Sequence, residues 1–212
     1  MKRTVTAITL QEKNHQRVNI YLDGEFAFGL DNLLAAWLSV GKVIGEEEIS
    51  ELIAQDVKAK AYQRAIKYLQ YRPRSVSELS RYLKEKLYPE DVITDTIDKC
   101  IQNQLLNDEQ FTYNYIESRL HNRPMGIRRL SYELKIFGIP EDTFQQTMEA
   151  IQPNEDELAM SVAEKYINRY SKLEKLKFFS RLSQVLIRRG FSYDTIQGVV
   201  QNAWKKAKKN LT

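Results

Sequence analysis

The sequence predicts a mainly α-helical chain, with three tandem three-helix repeats in an elongated array preceded by a small antiparallel β meander. Two observations carry this. The pattern Leu-Ser-x-x-Leu occurs three times, at Leu79-Ser80 to Leu83, Leu130-Ser131 to Leu134 and Leu182-Ser183 to Leu186, about fifty residues apart, which is the period of a helical repeat. The first thirty residues instead alternate apolar and polar side chains on either side of Asp23-Gly24, a strong hairpin turn.

In the N-terminal segment, residues 5–10, 17–22 and 25–30 read as three strands. Asp31 is placed to cap a short helix through Leu34 and Trp37 that ends near Gly41. From Glu46 a longer helical pattern (Ile49, Leu52, Ile53, Val57, Ala61) runs into the first repeat. There Ala61, Ala65, Ile66 and Leu69 keep helical spacing until Arg72-Pro73, because a proline disfavours helix in the residue before it. A second helix opens at Ser75, with Glu78 three positions on as a capping box, and carries Leu79, Tyr82 and Leu83 inward to about Leu87. The third starts at Pro89-Glu90-Asp91 and presents Val92, Ile93, Ile97 and Ile101 on one face.

The second copy repeats the scheme with Phe111, Tyr115, Ile116 and Leu120, then Leu130 and Leu134, then Phe144, Met148 and Ile151. The third has Leu158, Val162, Ala163 and Ile167, then Leu182 and Leu186, then Ile196, Val200 and Trp204. Twelve residues after the first leucine of each copy stands an aspartate (Asp91, Asp142, Asp194), and nine after it Tyr88, Ile139 or Phe191. The second helices of copies two and three end at Gly138 and Gly190, suited to a left-handed cap. Units of this size bury little alone, so they stack. The expected domains are 1–45 for the meander and short helix, 46–107 for the linking helix and first repeat, 108–154 for the second repeat and 155–212 for the third.

Composition narrows the function. With 42% hydrophobic residues, no apolar run long enough to cross a bilayer and no signal peptide, the 212-residue chain is expected to be soluble and cytoplasmic. Its single cysteine, Cys100, forms no internal disulfide and falls at a core position of its helix. His15 and His121 have no cysteine or carboxylate at metal-ligand spacing, and Gly41-Lys42-Val43 lacks the remainder of a phosphate loop. No nucleophile elbow occurs. A binding protein without catalytic residues, metal or cofactor is the expectation.

The net charge of +4 is unevenly distributed. Between Lys58 and Lys86 basic residues far outnumber acids and are interleaved with Tyr62, Tyr68, Tyr71 and Tyr82. Copy two repeats the basic segment with Arg119, Arg123, Arg128, Arg129 and Lys135, and copy three with Lys175, Lys177, Arg181, Arg188, Arg189 and a lysine-rich end from Lys205 to Lys209. Such a stripe suits phosphates or an acidic protein surface. Each residue alone is equally consistent with a solvated helix face.

Several strings in order resemble the successive signatures of the RecX regulatory proteins. They are Tyr68-Leu69-x-Tyr71-Arg72-Pro73-Arg74-Ser75 with Glu78-Leu79 and Leu83, Leu105-Leu106-Asn107-Asp108-Glu109-x-Phe111, Gly126-x-x-x-Leu130-x-x-Glu133-Leu134 with Gly138-Ile139, and Arg188-Arg189-Gly190-Phe191-Ser192. The resemblance runs from about residue 58 onward, and the meander is similar to the extension that some members carry. Gln104 stands where the family usually has glycine, and Thr112 where it usually has alanine. The resemblance implies a monomeric cytoplasmic modulator of the RecA recombinase. It would bind the RecA filament on single-stranded DNA and inhibit its ATPase, strand-exchange and co-protease activities in recombination, repair and the SOS response.

No catalytic role transfers from the family, so the candidate partner- and nucleic-acid-binding residues are the repeated arginines: Arg72, Arg74, Arg81, Arg123, Arg128, Arg129, Arg188 and Arg189. Arg128 and Arg129 follow a helix start at Gly126, where backbone donors and guanidinium groups can face one anion. Two other readings stay open. Three-helix units with a basic second helix are the material of direct DNA readers, and a repeat array also serves as a scaffold for an unrelated acidic protein.

Overall fold

The alternating N-terminal segment builds a four-stranded antiparallel sheet in the computed structural model, which describes residues 2–209. Its strands are β1 (Lys2–Gln11), β2 (Asn14–Leu22), β3 (Glu25–Asp31) and β4 (Val43–Gly45), in the order β3-β2-β1-β4. Ile8 pairs with Ile20 and Ile20 with Phe28, so alternation puts Val5, Val18, Ile20, Leu22 and Leu30 on one buried face. Asp23 and Gly24 both take positive φ, +52° and +91°, as a type I′ hairpin turn requires.

Two expectations for this region are corrected. A fourth strand, too short to show alternation, pairs Lys2 with Gly45 and Thr4 with Val43. The short helix after Asp31 is absent, and residues 32–37 form turns. Asp31 does cap them, since Leu33 N–H donates to its Oδ1 at 2.9 Å, but Ala36 to Leu33 and Leu38 to Ala35 are three-residue closures. Within a few residues Gly41 N–H donates to Val5 O, so the chain is back at β1 before an isolated turn of helix can propagate.

Nine helices follow among the described residues: α1 (Glu46–Leu69), α2 (Val76–Glu85), α3 (Glu90–Gln102), α4 (Asp108–Asn122), α5 (Ile127–Ile136), α6 (Glu141–Ile151), α7 (Glu155–Tyr170), α8 (Lys175–Arg188) and α9 (Tyr193–Lys209). The chain divides into two compact units, Met1–Pro73 with Leu79–Leu106, and Arg74–Glu78 with Asn107 onward. The outer ends of the expected first and last domains, residue 1 and residues 210–212, lie outside the described residues.

In the first unit, Leu52 of α1 packs beneath the sheet with Val5, Ile20 and Ile44. Asp56, 4% exposed, ties the two together. Arg17 donates to both its oxygens at 2.8 and 2.9 Å, Asp31 N–H donates at 2.9 Å, and Lys60 lies 2.8 Å away. Burial opposes the charge on Asp56, but these donors outweigh it and hold the carboxyl below the ordinary carboxylate value. Cys100 is buried on α3, and burial pushes its thiol up.

The repeat register is visible in packing. Leu79, Leu130 and Leu182 are fully buried, as are Leu83 and Leu186, with Leu134 at 1%. The capping box forms as the spacing predicts, with Glu78 N–H on Ser75 Oγ and Ser75 N–H on Glu78 Oε2, both at 3.2 Å. All three second helices end in one hydrogen-bond pattern. Tyr88, Ile139 and Phe191 N–H donate to Leu83, Leu134 and Leu186 O, while Leu87, Gly138 and Gly190 N–H donate to Lys84, Lys135 and Ile187 O. This is the Schellman motif, whose left-handed residue is Gly138 or Gly190 in two copies and Leu87, at φ +61°, in the first. Gln104 closes α3 in the same conformation at φ +57°. Thr112 is fully buried and its hydroxyl donates to Asp108 O at 2.6 Å.

Candidate functional site

The second unit stacks its repeats by placing helix starts against helix ends. Gly126, which precedes α5, donates its N–H to Arg189 O at 2.9 Å, just past α8. Ser75, one repeat earlier, donates its hydroxyl at 2.5 Å to Phe137 O, just past α5. The first acid of the following repeat completes each junction. Val76 N–H donates to Asp108 Oδ1 at 2.9 Å, and Ile127 N–H to Glu155 Oε1 at 3.1 Å. At the α5 N-terminus, where the sequence places Arg128 and Arg129 beside backbone donors, one of those donors, the Ile127 N–H, is taken by the chain's own Glu155.

This stacking gathers arginines from two repeats. Arg123 (just past α4), Arg129 (α5), Arg188 (end of α8) and Arg189 surround a cavity of about 190 Å³ together with Arg119 and Glu133. Arg128, Arg129 and Arg188 border an adjoining recess of about 470 Å³. The residues divide by role. Arg129 is a staple, with Nε on Glu133 Oε1 at 2.9 Å and Nη1 on Arg188 O at 3.0 Å. Arg189 is another, with Nη1 on Pro124 O at 3.1 Å. Arg119 donates to the Tyr115 hydroxyl at 2.9 Å, which in turn donates to Glu133. Burial opposes the Glu133 charge, but Tyr115, Arg129 and Arg119 outweigh it and lower its pKa; burial and that carboxylate raise the pKa of Tyr115. The exposed guanidinium groups of Arg123, Arg128 and Arg188 have no partner among the described residues. They are the charges that the fold itself does not pair.

The remaining candidates lie elsewhere. Arg72, exposed after α1, donates to Pro73 O at 2.8 Å, and Arg81 is exposed on α2; both belong to the first unit. Arg74, at 17% side-chain exposure, pairs with Glu78 at 3.2 Å and lines neither recess. Of the interleaved tyrosines, Tyr68 stacks on Tyr82 at 4.0 Å between ring centroids, Tyr62 accepts from Asn103 and sits under Lys99, and Tyr71 is exposed. The sequence reading missed Tyr132 and Tyr193, which line the larger recess and are each 66% exposed. A signal existed for Tyr132, which lies off the apolar stripe of α5 set by Leu130 and Leu134, whereas Tyr193 stands at stripe spacing from Ile196 and Val200 and is told from a core residue only by its exposure.

Three stretches match descriptions of known domains: residues 3–45 the regulatory protein RecX N-terminal domain, residues 61–100 the first three-helix domain of RecX, and residues 154–200 the third. Regulatory protein RecX of Bacillus pumilus (strain SAFR-032) is 33% identical over 206 residues, covering 94% of this chain and 77% of its own. That of Clostridium perfringens (strain SM101 / Type A) is 32% identical over 203 residues, covering 93% and 94%. A crystal structure of regulatory protein RecX is similar to this chain with a TM-score of 0.74 at 26% identity, over 93% of this chain and 98% of its own. RecX from Lactobacillus salivarius gives 0.64 at 28% identity, over 70% and 97%.

Proposed function

Because the chain belongs to the RecX family of regulatory proteins, we propose that it binds the RecA recombinase filament on single-stranded DNA and lowers its ATP hydrolysis, strand exchange and co-protease activity. The observation that carries the reading is the group of three unpartnered arginines, Arg123, Arg128 and Arg188, gathered from two repeats onto one face of the second unit. A filament presents phosphates and protein carboxylates together, and a surface whose own carboxylates are already paired with Arg129 and with backbone donors is attracted to both. The protein acts in the cytoplasm as a monomer, without a cofactor and without chemistry of its own.

Association measured on three targets separates this reading from its rivals. Tight binding to recombinase assembled on single-stranded DNA is expected, with weaker binding to the bare strand and no sequence preference on duplex. A sequence-selective duplex complex would make it a direct DNA reader, and indifference to all three targets would make it a scaffold for something else.

A further inference from the structure

The larger recess of the second unit has a composition that filament binding alone does not require. Tyr132 on α5 and Tyr193 at the start of α9 are each 66% exposed, and Ile187, at 58%, lines the same recess. Neither tyrosine ring contacts another ring, and neither hydroxyl has a hydrogen-bond partner, among the described residues. Among the described residues, Arg128 and Arg188 border the same recess with their guanidinium groups unpartnered, and no carboxylate lines it. Arg129 and Arg188 also line the arginine cavity, where, among the described residues, Arg123 supplies a further unpartnered cation and Glu133 is the one acid.

We propose that this recess holds an unpaired base of a single-stranded nucleic acid against Tyr132 and Tyr193, with the flanking phosphates on Arg128, Arg188 and Arg123. Exposed aromatic faces beside backbone-neutralising cations are how single strands are bound without sequence preference, because every base has a π-face. The cores of protein interfaces, in contrast, are depleted of charge, whereas this recess concentrates unpaired positive charge around its apolar floor. A volume of about 470 Å³ falls within the range of small-ligand sites, about 300–1,000 Å³. Duplex bases are stacked on one another and cannot enter. The site deepens the filament reading and rests on it for the strand's being bound while recombinase is present, but it holds a bare strand as well.

The test is fluorescence anisotropy with a labelled twenty-nucleotide oligothymidylate and an abasic strand of equal length, over a range of salt and with no recombinase added. Wild type should prefer the base-bearing strand by about 5- to 150-fold, the range that stacking supplies. Tyr132→Ala with Tyr193→Ala should erase that preference and leave the salt slope unchanged, and the corresponding phenylalanine pair should restore it. Arg128→Gln with Arg188→Gln should keep the preference while lowering the log-log salt slope by about 1.4, or 0.7 per phosphate. Equal affinity for the two strands, or a preference that survives both alanines, overturns the proposal. If the alanine pair binds both strands as wild type does yet loses the filament, the recess docks protein instead; the proposal falls and the filament reading stands. If the base preference behaves as described but the filament's ATPase is untouched, the site stands and the filament reading falls.

Discussion

Asp56 is worth more as half of a pair than its charge alone suggests. Replacing it with alanine leaves Arg17, at 13% side-chain exposure, without its bidentate acceptor and Asp31 N–H without a partner. Removing one member of a buried pair costs about 3–5 kcal/mol, and Asp56→Ala should lower the stability of the first unit by that amount in urea denaturation. The pH dependence has a definite sign. The carboxyl titrates lower in the folded chain than its ordinary 3.8, so its contribution is present above that value and is lost as pH falls through the folded pKa. Asp56→Asn should flatten the acid limb of the stability curve; an unchanged limb would place the acid sensitivity elsewhere. The same distinction between paired and unpaired groups separates Arg128 from Arg129, neighbours in sequence with different duties. Arg128→Glu should change stability by less than about 0.5 kcal/mol, as surface substitutions do. Arg129→Glu sets a carboxylate against Glu133 and deprives Arg188 O of its donor, so it should cost more than about 1 kcal/mol.

At the scale of elements, one geometry explains where glycine stands. A Cβ on Gly138 would lie 2.3 Å from Ser77 Cβ, and one on Gly190 would lie 2.4 Å from Arg129 Cβ, because each of these helix ends receives the start of the preceding repeat's second helix. Leu87 ends the first repeat's second helix, which has no preceding repeat, and its side chain is 90% exposed. Left-handed backbone there costs a non-glycine residue about 1–2 kcal/mol, partly offset by the greater freedom of glycine when unfolded. Leu87→Gly and Gln104→Gly should therefore each raise the unfolding free energy measured by urea denaturation, by about 0.5–1 kcal/mol. Gly138→Ala should lower it by about 1–3 kcal/mol, since strain and overpacking combine. A destabilised Leu87→Gly would show that the exposed leucine makes contacts that matter more than its backbone.

What was legible in the sequence follows from the range of each interaction. The repeat register, the Ser75 to Glu78 capping box and the hairpin at Asp23-Gly24 depend on residues within a turn of one another, so spacing reveals them. The caps that Asp108 and Glu155 place on Val76 and Ile127 join residues 32 and 28 positions apart and depend on how repeats stack. A strand as short as β4 and a turn in place of a helix after Asp31 are likewise decided by pairing with β1. For the candidate site, the sequence supplies the arginines but not their division into staples and free charges, because that division is made by Glu133 and by the carbonyls of Pro124 and Arg188.

At the scale of the whole molecule, a net charge of +4 says little, and the distribution of unpaired charge decides what the protein meets. Lys206 pairs with Glu164 at 2.7 Å and Lys208 lies over the Trp204 ring at 4.4 Å, so the lysine-rich end is partly engaged in the third repeat's own packing. Reversing Arg123, Arg128 and Arg188 to glutamate should weaken filament association at least about tenfold and reduce its salt slope, since each lost phosphate contact removes about 0.7–0.9 from that slope. Reversing Lys206 and Lys208 should do much less. Equal losses from the two sets, with both proteins folded by circular dichroism, would mean that net charge rather than the arginine group governs binding.

A chain that restrains a recombinase filament should slow that filament's ATP hydrolysis. With recombinase from the same source assembled on single-stranded DNA, substoichiometric protein should slow hydrolysis, the triple arginine reversal should restore it, and the protein alone should hydrolyse nothing. Hydrolysis that stays unchanged at a molar excess of wild-type protein would contradict the account.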